Sequence, residues 1–313
     1  MTELAPLPSK LPPGVADVGL FPAPEHSLDN IFDIVRENLC DADYHLIPAL
    51  LATVDPNEES ELVEVLMDIS IREGKLNRCL DYLLTEELSR TEDVSTLFRE
   101  SSAPSICLTE LLRNLGSKFL KDRLASAMDA VRSSGTEAEL LAALNTLIDC
   151  IVASAADMPD ELCYFFARVY RAVKKRFGSA YVARDGVAAF LFLRYFSLAL
   201  SWPSKFGMRE VSLEQTRYAI AISRVLSGLV MRKKWTAYDP PESVKLAEQV
   251  EHRVDELDAF IQRVCKWDLE QYRPREPEYV KQNYERFLKW WIKHPADDEF
   301  CLALSHQVSK LLW

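Results

Sequence analysis

Glycine is scarce in this chain: nine residues in 313. A fold built from strands and many tight turns would draw on more of it, because such turns need positive φ. Neither G-x-G-x-x-G nor G-x-x-x-x-G-K-[ST] occurs, so nucleotide binding by those routes is not expected. No C-x-x-C is present, and the seven cysteines, an odd count, read as reduced thiols of a cytosolic protein. Cys79, Cys150 and Cys163 sit among apolar neighbours, where cysteine serves as a small core residue. The five histidines (His26, His45, His252, His294, His306) are scattered without metal-ligand spacing. No nucleophile elbow is present, which disfavours a conventional hydrolase, although dispersed Ser, His and Asp residues can still meet in three dimensions. No apolar run reaches about 18 residues, so no membrane-spanning helix is expected. The N-terminus lacks the basic-then-apolar pattern of a secretory signal. Positive charge is in deficit, with a net charge of −11, which argues against a general nucleic-acid binder.

What is abundant is helical periodicity. Leu62, Val65, Leu66 and Ile69 follow i, i+3, i+4, i+7. The same spacing recurs in Leu144, Leu147, Ile148 and Ile151, in Ile222, Val225, Leu226 and Leu229, and in Leu257, Phe260, Ile261 and Val264. Each set places one apolar stripe on a helix. No strand alternation bounded by hairpin signals is found. The expected fold is all-α, a multi-helix domain of roughly ten or more helices joined by short loops. Val187–Leu200, VAAFLFLRYFSLAL, is apolar almost all round and is expected to be a central buried helix, stopped at Trp202-Pro203.

Three segments are expected. Residues 1–25 hold six of the sixteen prolines and read as an extended arm or linker. Residues 26–275 form the helical domain, with its motif-bearing core at about 60–235. Residues 276–313 form a helical extension with Trp290, Trp291 and Trp313, whose stripe of Tyr284, Phe287, Leu288 and Trp291 favours packing over binding a partner or membrane surface. Charge is unevenly spread. Residues 133–167 carry six acids and no Lys or Arg, whereas 191–235 carry eight basic residues against Glu210 and Glu214. The basic stretch is either a solvated face or a surface that steers an acidic partner.

Two arginines stand apart. Arg99 lies in the polar run Thr96-Leu97-Phe98-Arg99-Glu100-Ser101-Ser102, ahead of a helical pattern that Ser101 or Ser102 can cap, with Pro104 in its first turn. Arg194 lies inside the buried helix, in Phe192-Leu193-Arg194-Tyr195-Phe196. A guanidinium there is costly unless its five donors are satisfied. Loop carbonyls, a buried carboxylate, or an escape to the surface are the available solutions.

These two motifs, in this order and about a hundred residues apart, resemble the T-L-F-R-[GE]-N-[ST] loop and the F-L-R-[FY]-x-N-P-A helix of the Ras GTPase-activating protein (RasGAP) domain family. The stretches Cys107–Leu112, Phe119–Leu124 and Val169–Phe177 look like the family's intervening helices, and the resemblance covers about 60–235. It implies an all-helical activator whose partner is a Ras-type small GTPase in its GTP form. Arg99 would be the arginine finger, inserted in trans, and Arg194 would stabilise the finger loop through its carbonyls. Arginine fingers of Ras activators as a class contribute roughly 10³–10⁵ in rate, or about 4–7 kcal/mol of transition-state stabilisation. The backbone of the loop would help hold the partner's water-orienting glutamine. Phe98, Glu100, Leu193, Ser197, Lys205 and Arg224 would contact the partner, Phe98 also burying its ring to hold the loop. The chain itself would be no enzyme and need no cofactor or metal, since GTP and Mg²⁺ come with the partner. Its place would be cytoplasmic, with any recruitment to a membrane coming through that partner. Ser197-Leu198-Ala199 stands where the family has Asn-Pro-Ala, and Ser101 where it has Asn. The family's next-helix lysine falls near Ala221, with Arg224 one turn on. A domain of this fold that binds a GTP-loaded GTPase without activating it therefore stays open, as does an unrelated helical scaffold with Arg99 and Arg194 far apart.

Overall fold

The apolar stripes fold as helices because each is started and stopped by local chemistry. In the computed structural model, the described residues are 33, 35–37, 39–40, 46–53, 55, 60–93, 96–98 and 101–293. The proline-rich arm, Arg99, Glu100 and Trp313 lie outside them. In chain order the α-helices are α1 (Leu46–Thr53), α2 (Ser60–Arg72), α3 (Leu76–Arg90), α4 (Ala103–Arg123), α5 (Ala125–Arg132), α6 (Glu137–Ala153), α7 (Asp160–Phe177) and α8 (Ala180–Ala189). A π-helical segment, Phe190–Phe196, continues α8 and leads into α9 (Ser197–Ser201). Then follow α10 (Leu213–Val230), α11 (Pro241–Val250), α12 (Val254–Cys265) and α13 (Lys281–Lys293). No strand occurs among the described residues, so the fold is all-α.

Caps set the starts. Ser102 accepts the Ser105 N–H at the head of α4. Thr136 with Glu139, and Ser212 with Gln215, form reciprocal capping boxes at α6 and α10. Gly178, at φ +69°, ends α7 in the left-handed conformation. Trp202, outside helical geometry ahead of Pro203, ends α9 as expected.

The chain divides into two compact units. The first takes the described residues up to Cys79 together with those from Arg275 onward; the second is Leu80–Pro274. The described residues up to Cys79 thus group with the C-terminal helix. The reason lies in α13, which packs on α2. Tyr284 and Phe287 of its apolar stripe are buried, while Leu288 is only partly so. Polar contacts fix the register: Tyr284 donates to the buried Glu73 (2.7 Å), Arg36 grips the same carboxylate at 2.8 and 2.9 Å, and Asn283 donates to Asp68 (2.6 Å).

In the second unit the π segment packs against α4 and α10 and is buried through Phe190, Leu191, Phe192, Tyr195 and Phe196, which makes it the expected central helix. Its closeness to α4 depends on Gly116. A Cβ there would lie 2.2 Å from the Tyr195 hydroxyl, which donates to the Gly116 carbonyl at 2.8 Å. The stripes on α6, α10 and α12 are buried as read. Glu137–Ala156 has the length and mean hydropathy (1.5) of a membrane span, contrary to the expectation of none. Its Leu140, Leu144, Leu147, Ile148 and Ile151 are buried, with α5 and α12 packed on the helix, as in a core helix. The six described cysteines are free; Cys79 and Cys163 are core residues, whereas Cys150 is only half-buried.

Candidate functional site: an arginine-clamped loop

The loop after α3 is held from below. Thr96 turns back on the chain, donating its N–H and hydroxyl to the Asp93 carbonyl at 3.0 and 2.8 Å. Leu97 and Phe98 then drop into the core. The Phe98 ring meets Phe190 edge-on, with centroids 4.4 Å apart, and Gly186 of α8 leaves room for both side chains. Phe98 has φ +57°, a left-handed backbone that costs a bulky residue about 1–2 kcal/mol. Such strain persists only where the surroundings over-determine it.

Arg194 supplies that constraint. Its Nε–H donates to the Phe98 carbonyl at 3.0 Å, across 96 residues of sequence. The π segment that carries it is the kind of helical distortion found often at functional sites. Burial pushes the Arg194 guanidinium below its ordinary pKa, and the negative charge of Glu87 works against that shift. Of the solutions open to an arginine on this helix, the loop carbonyl is the one taken. The coincidental-scaffold reading required the Arg99 loop and Arg194 to lie far apart; residue 98 is hydrogen-bonded to Arg194 instead.

The far end of the loop is held as well. Ser102 caps α4 through its Oγ, which accepts from the Ser105 N–H at 3.1 Å and donates to the Glu87 carboxylate. Glu87 is 3 % exposed. The sequence reading missed it, although a signal existed: Leu80, Leu83, Leu84, Glu87 and Leu88 form one helical stripe, with an acid in an apolar position. Arg113 was missed too; it donates to the Lys205 carbonyl at 2.8 Å and fixes the turn after α9.

The remaining residues assigned to a partner surface fall out unevenly. Phe98 requires correction: its ring is fully buried, so it shapes the loop and offers no surface to a partner. Glu100 and the finger residue Arg99 lie outside the described residues. Leu193 and Ser197 are half-buried, and Lys205 and Arg224 are exposed. The Ser197 hydroxyl is turned inward, donating to the Phe192 carbonyl, which also accepts from Ser227 of α10 at 3.3 Å. Leu213, Arg217, Ile220 and Arg224 share one face of α10, Leu213 being 90 % exposed, and Ser227 continues that face to the π segment. Of the basic stretch, Arg232 pairs with Asp258 and Lys233 with Asp239, so these two are part of a structural ion-pair set.

An all-α unit with an arginine of a buried helix clamping a loop that leads into a second arginine has the form of a RasGAP-like domain. The sequence profile of a family described as GTPase-activator protein for Ras-like GTPase matches residues 131–231, which include Arg194 and end beyond α10 but do not reach the Thr96–Ser102 loop. Over that stretch the chain is similar to the RasGAP family. Ras GTPase-activating protein 2 of Rattus norvegicus is 25% identical over 171 residues, covering 49% of this chain and 20% of its own length. RasGAP-activating-like protein 1 of Mus musculus is 28% identical over 185 residues, covering 48% and 23%. Ras GTPase-activating protein 4 of Mus musculus is 26% identical over 269 residues, covering 72% and 33%. The chain spans a fifth to a third of the length of these relatives.

Proposed function

We propose that this chain activates GTP hydrolysis by a Ras-type small GTPase, supplying Arg99 in trans as an arginine finger. The observation that carries the reading is the Arg194–Phe98 hydrogen bond. It fixes the backbone of the residue immediately before Arg99, and a cation acts best on developing phosphoryl charge when it is aimed before the reaction begins. In this reading Arg194 serves as the finger-loop stabiliser and never touches nucleotide. The partner brings GTP and Mg²⁺, the chain contributes no nucleotide site of its own, and it is a cofactor-free activator rather than an independent enzyme. The exposed face of α10 with Leu213, Ile220 and Arg224, together with Lys205, Leu193 and Glu100, is the docking side for the GTP form. The protein works in the cytoplasm and reaches a membrane through its partner.

One observation favours a second reading, a RasGAP-fold module that binds without activating. The Ser197 hydroxyl, at the position of the family's asparagine, is engaged with Phe192 inside the helix, and this weakens support for the partner's glutamine. Single-turnover GTP hydrolysis across a panel of Ras-family GTPases, wild type beside Arg99→Ala, tests both. On the activator reading, Arg99→Ala lowers the stimulated rate by about 10³ or more while affinity for the GTP form stays within a few-fold. Selective binding of the GTP form without acceleration by the wild type selects the second reading. Neither binding nor acceleration across the panel sinks both.

A further inference from the structure

The loop that precedes Arg99 and the cap that follows it belong to different elements, and one buried side chain reaches toward both. Phe98 is held by Arg194 of the π segment, and Ser102 starts α4. Glu87, on α3, accepts the Ser102 hydroxyl and acts electrostatically on Arg194. A carboxylate with 3 % exposure is costly in this environment unless it is hydrogen-bonded and charge-compensated; Ser102 supplies the hydrogen bond, and the Glu87 charge is felt at the Arg194 guanidinium. The Ser102 hydroxyl is committed in both directions, donating to Glu87 and accepting from the Ser105 N–H, so a displaced Glu87 disturbs the first turn of α4. Only residues 99–101 separate the two held ends.

We propose that Glu87 is a positioning residue for the finger loop: its buried carboxylate ties the Arg194 clamp to the Ser102 cap, so that Phe98 and Ser102, on either side of Arg99 in sequence, are both held. Glu87 acts through Arg194 and Ser102 and makes no contact with nucleotide. Fixing both ends lowers the entropy lost when the finger enters its partner, and misplacement by about 1 Å costs as much as 10²-fold in rate. The conformational half of the inference stands on this geometry alone, whereas the kinetic half rests on the activator reading above.

The experiment uses the full chain with Glu87→Gln, which keeps shape and an acceptor for Ser102 while removing the charge, alongside Glu87→Ala, Ser102→Ala and the Glu87→Gln/Ser102→Ala double variant. Trypsin cleavage after Arg99 is followed against cleavage at other sites and against the thermal midpoint. Cleavage at that bond rises about tenfold in Glu87→Gln, while the remaining pattern is unchanged. In stimulated hydrolysis kcat falls by about 10–100-fold with KM within about threefold. The double variant loses little more than the worse single variant, because both act on one device. Wild-type cleavage and wild-type kcat in Glu87→Gln overturn the proposal, as does a kcat loss that follows the thermal midpoint with cleavage rising everywhere. A wild type that stimulates no GTPase, while Arg99 cleavage still responds to Glu87→Gln, defeats the activator reading and leaves the positioning role standing.

Discussion

Removing the Arg194 guanidinium takes the donor from a backbone carbonyl whose own residue is held against its conformational preference. The Nε–H bond to Phe98 is charge-assisted, and a bond of this class contributes about 1.5–3 kcal/mol. Against it stands the left-handed φ of Phe98, costing about 1–2 kcal/mol. Burial of the Phe98 ring, about 2–3 kcal/mol, still holds the residue in place after the bond is gone. The ring therefore stays in the core while the carbonyl and the chain beyond it become free to rotate. For Arg194→Ala the expected loss is about 2–3 kcal/mol. In a unit running from Leu80 to Pro274, this lowers the midpoint by about 4–10 °C. Arg194→Lys, which retains charge but loses the planar fork, should fall between the two. Differential scanning calorimetry reads the midpoint, and stimulated GTP hydrolysis reads the loop. The rate is expected to drop by about 10–100-fold while binding of the GTP form stays within a few-fold. A midpoint within 1 °C of wild type, roughly the scatter expected of a neutral surface change, would refute the reasoning, because it would mean that water replaces the guanidinium without cost.

Gly116→Ala sets helix propensity against packing. The gain of about 1 kcal/mol from alanine is outweighed by a clash with the buried Tyr195, and a net loss of about 2–3 kcal/mol is expected in urea unfolding. Tyr284→Phe removes the hydroxyl that donates to Glu73 but leaves Arg36 on that carboxylate, so a loss of about 1–2 kcal/mol in the first unit is expected by thermal melting. Burial pushes the thiols of Cys40, Cys163 and Cys265 up to about 12. Between about pH 8.5, where an unfolded thiol ionises, and 12 the native state holds protons that the unfolded state has released. Stability from these groups is thus full below that window and falls as pH rises through it, which unfolding curves at stepped alkaline pH will show. The same thiols should react slowly with iodoacetamide at pH 8, and fast labelling in the native state would contradict their burial.

The helices and their ends were legible because their causes are local. Stripes such as Leu144, Leu147, Ile148 and Ile151 are spaced for one face of a helix, and Ser102 lies three residues from the N–H it caps. The pairing of the two arginine motifs was legible only through their order and separation, since no local rule brings residue 98 to residue 194. Glu87 was passed over because an acid within an apolar stripe, read alone, looks like an interruption of that stripe. The inward turn of Ser197 toward the Phe192 carbonyl occurs at the end of the π segment Phe190–Phe196, which has no sequence signature of its own.

The sequence by itself therefore determined an all-α chain, its caps, a buried arginine in need of acceptors and a second arginine in a polar run. Those features follow from contacts three or four residues apart and from the cost of burying a charge. Only the tertiary structure decided that α13 belongs with α2, and that Arg194, Glu87 and Ser102 hold the two ends of one loop. Each of these joins residues distant along the chain, where the decision rests on which faces pack together rather than on which residues are neighbours.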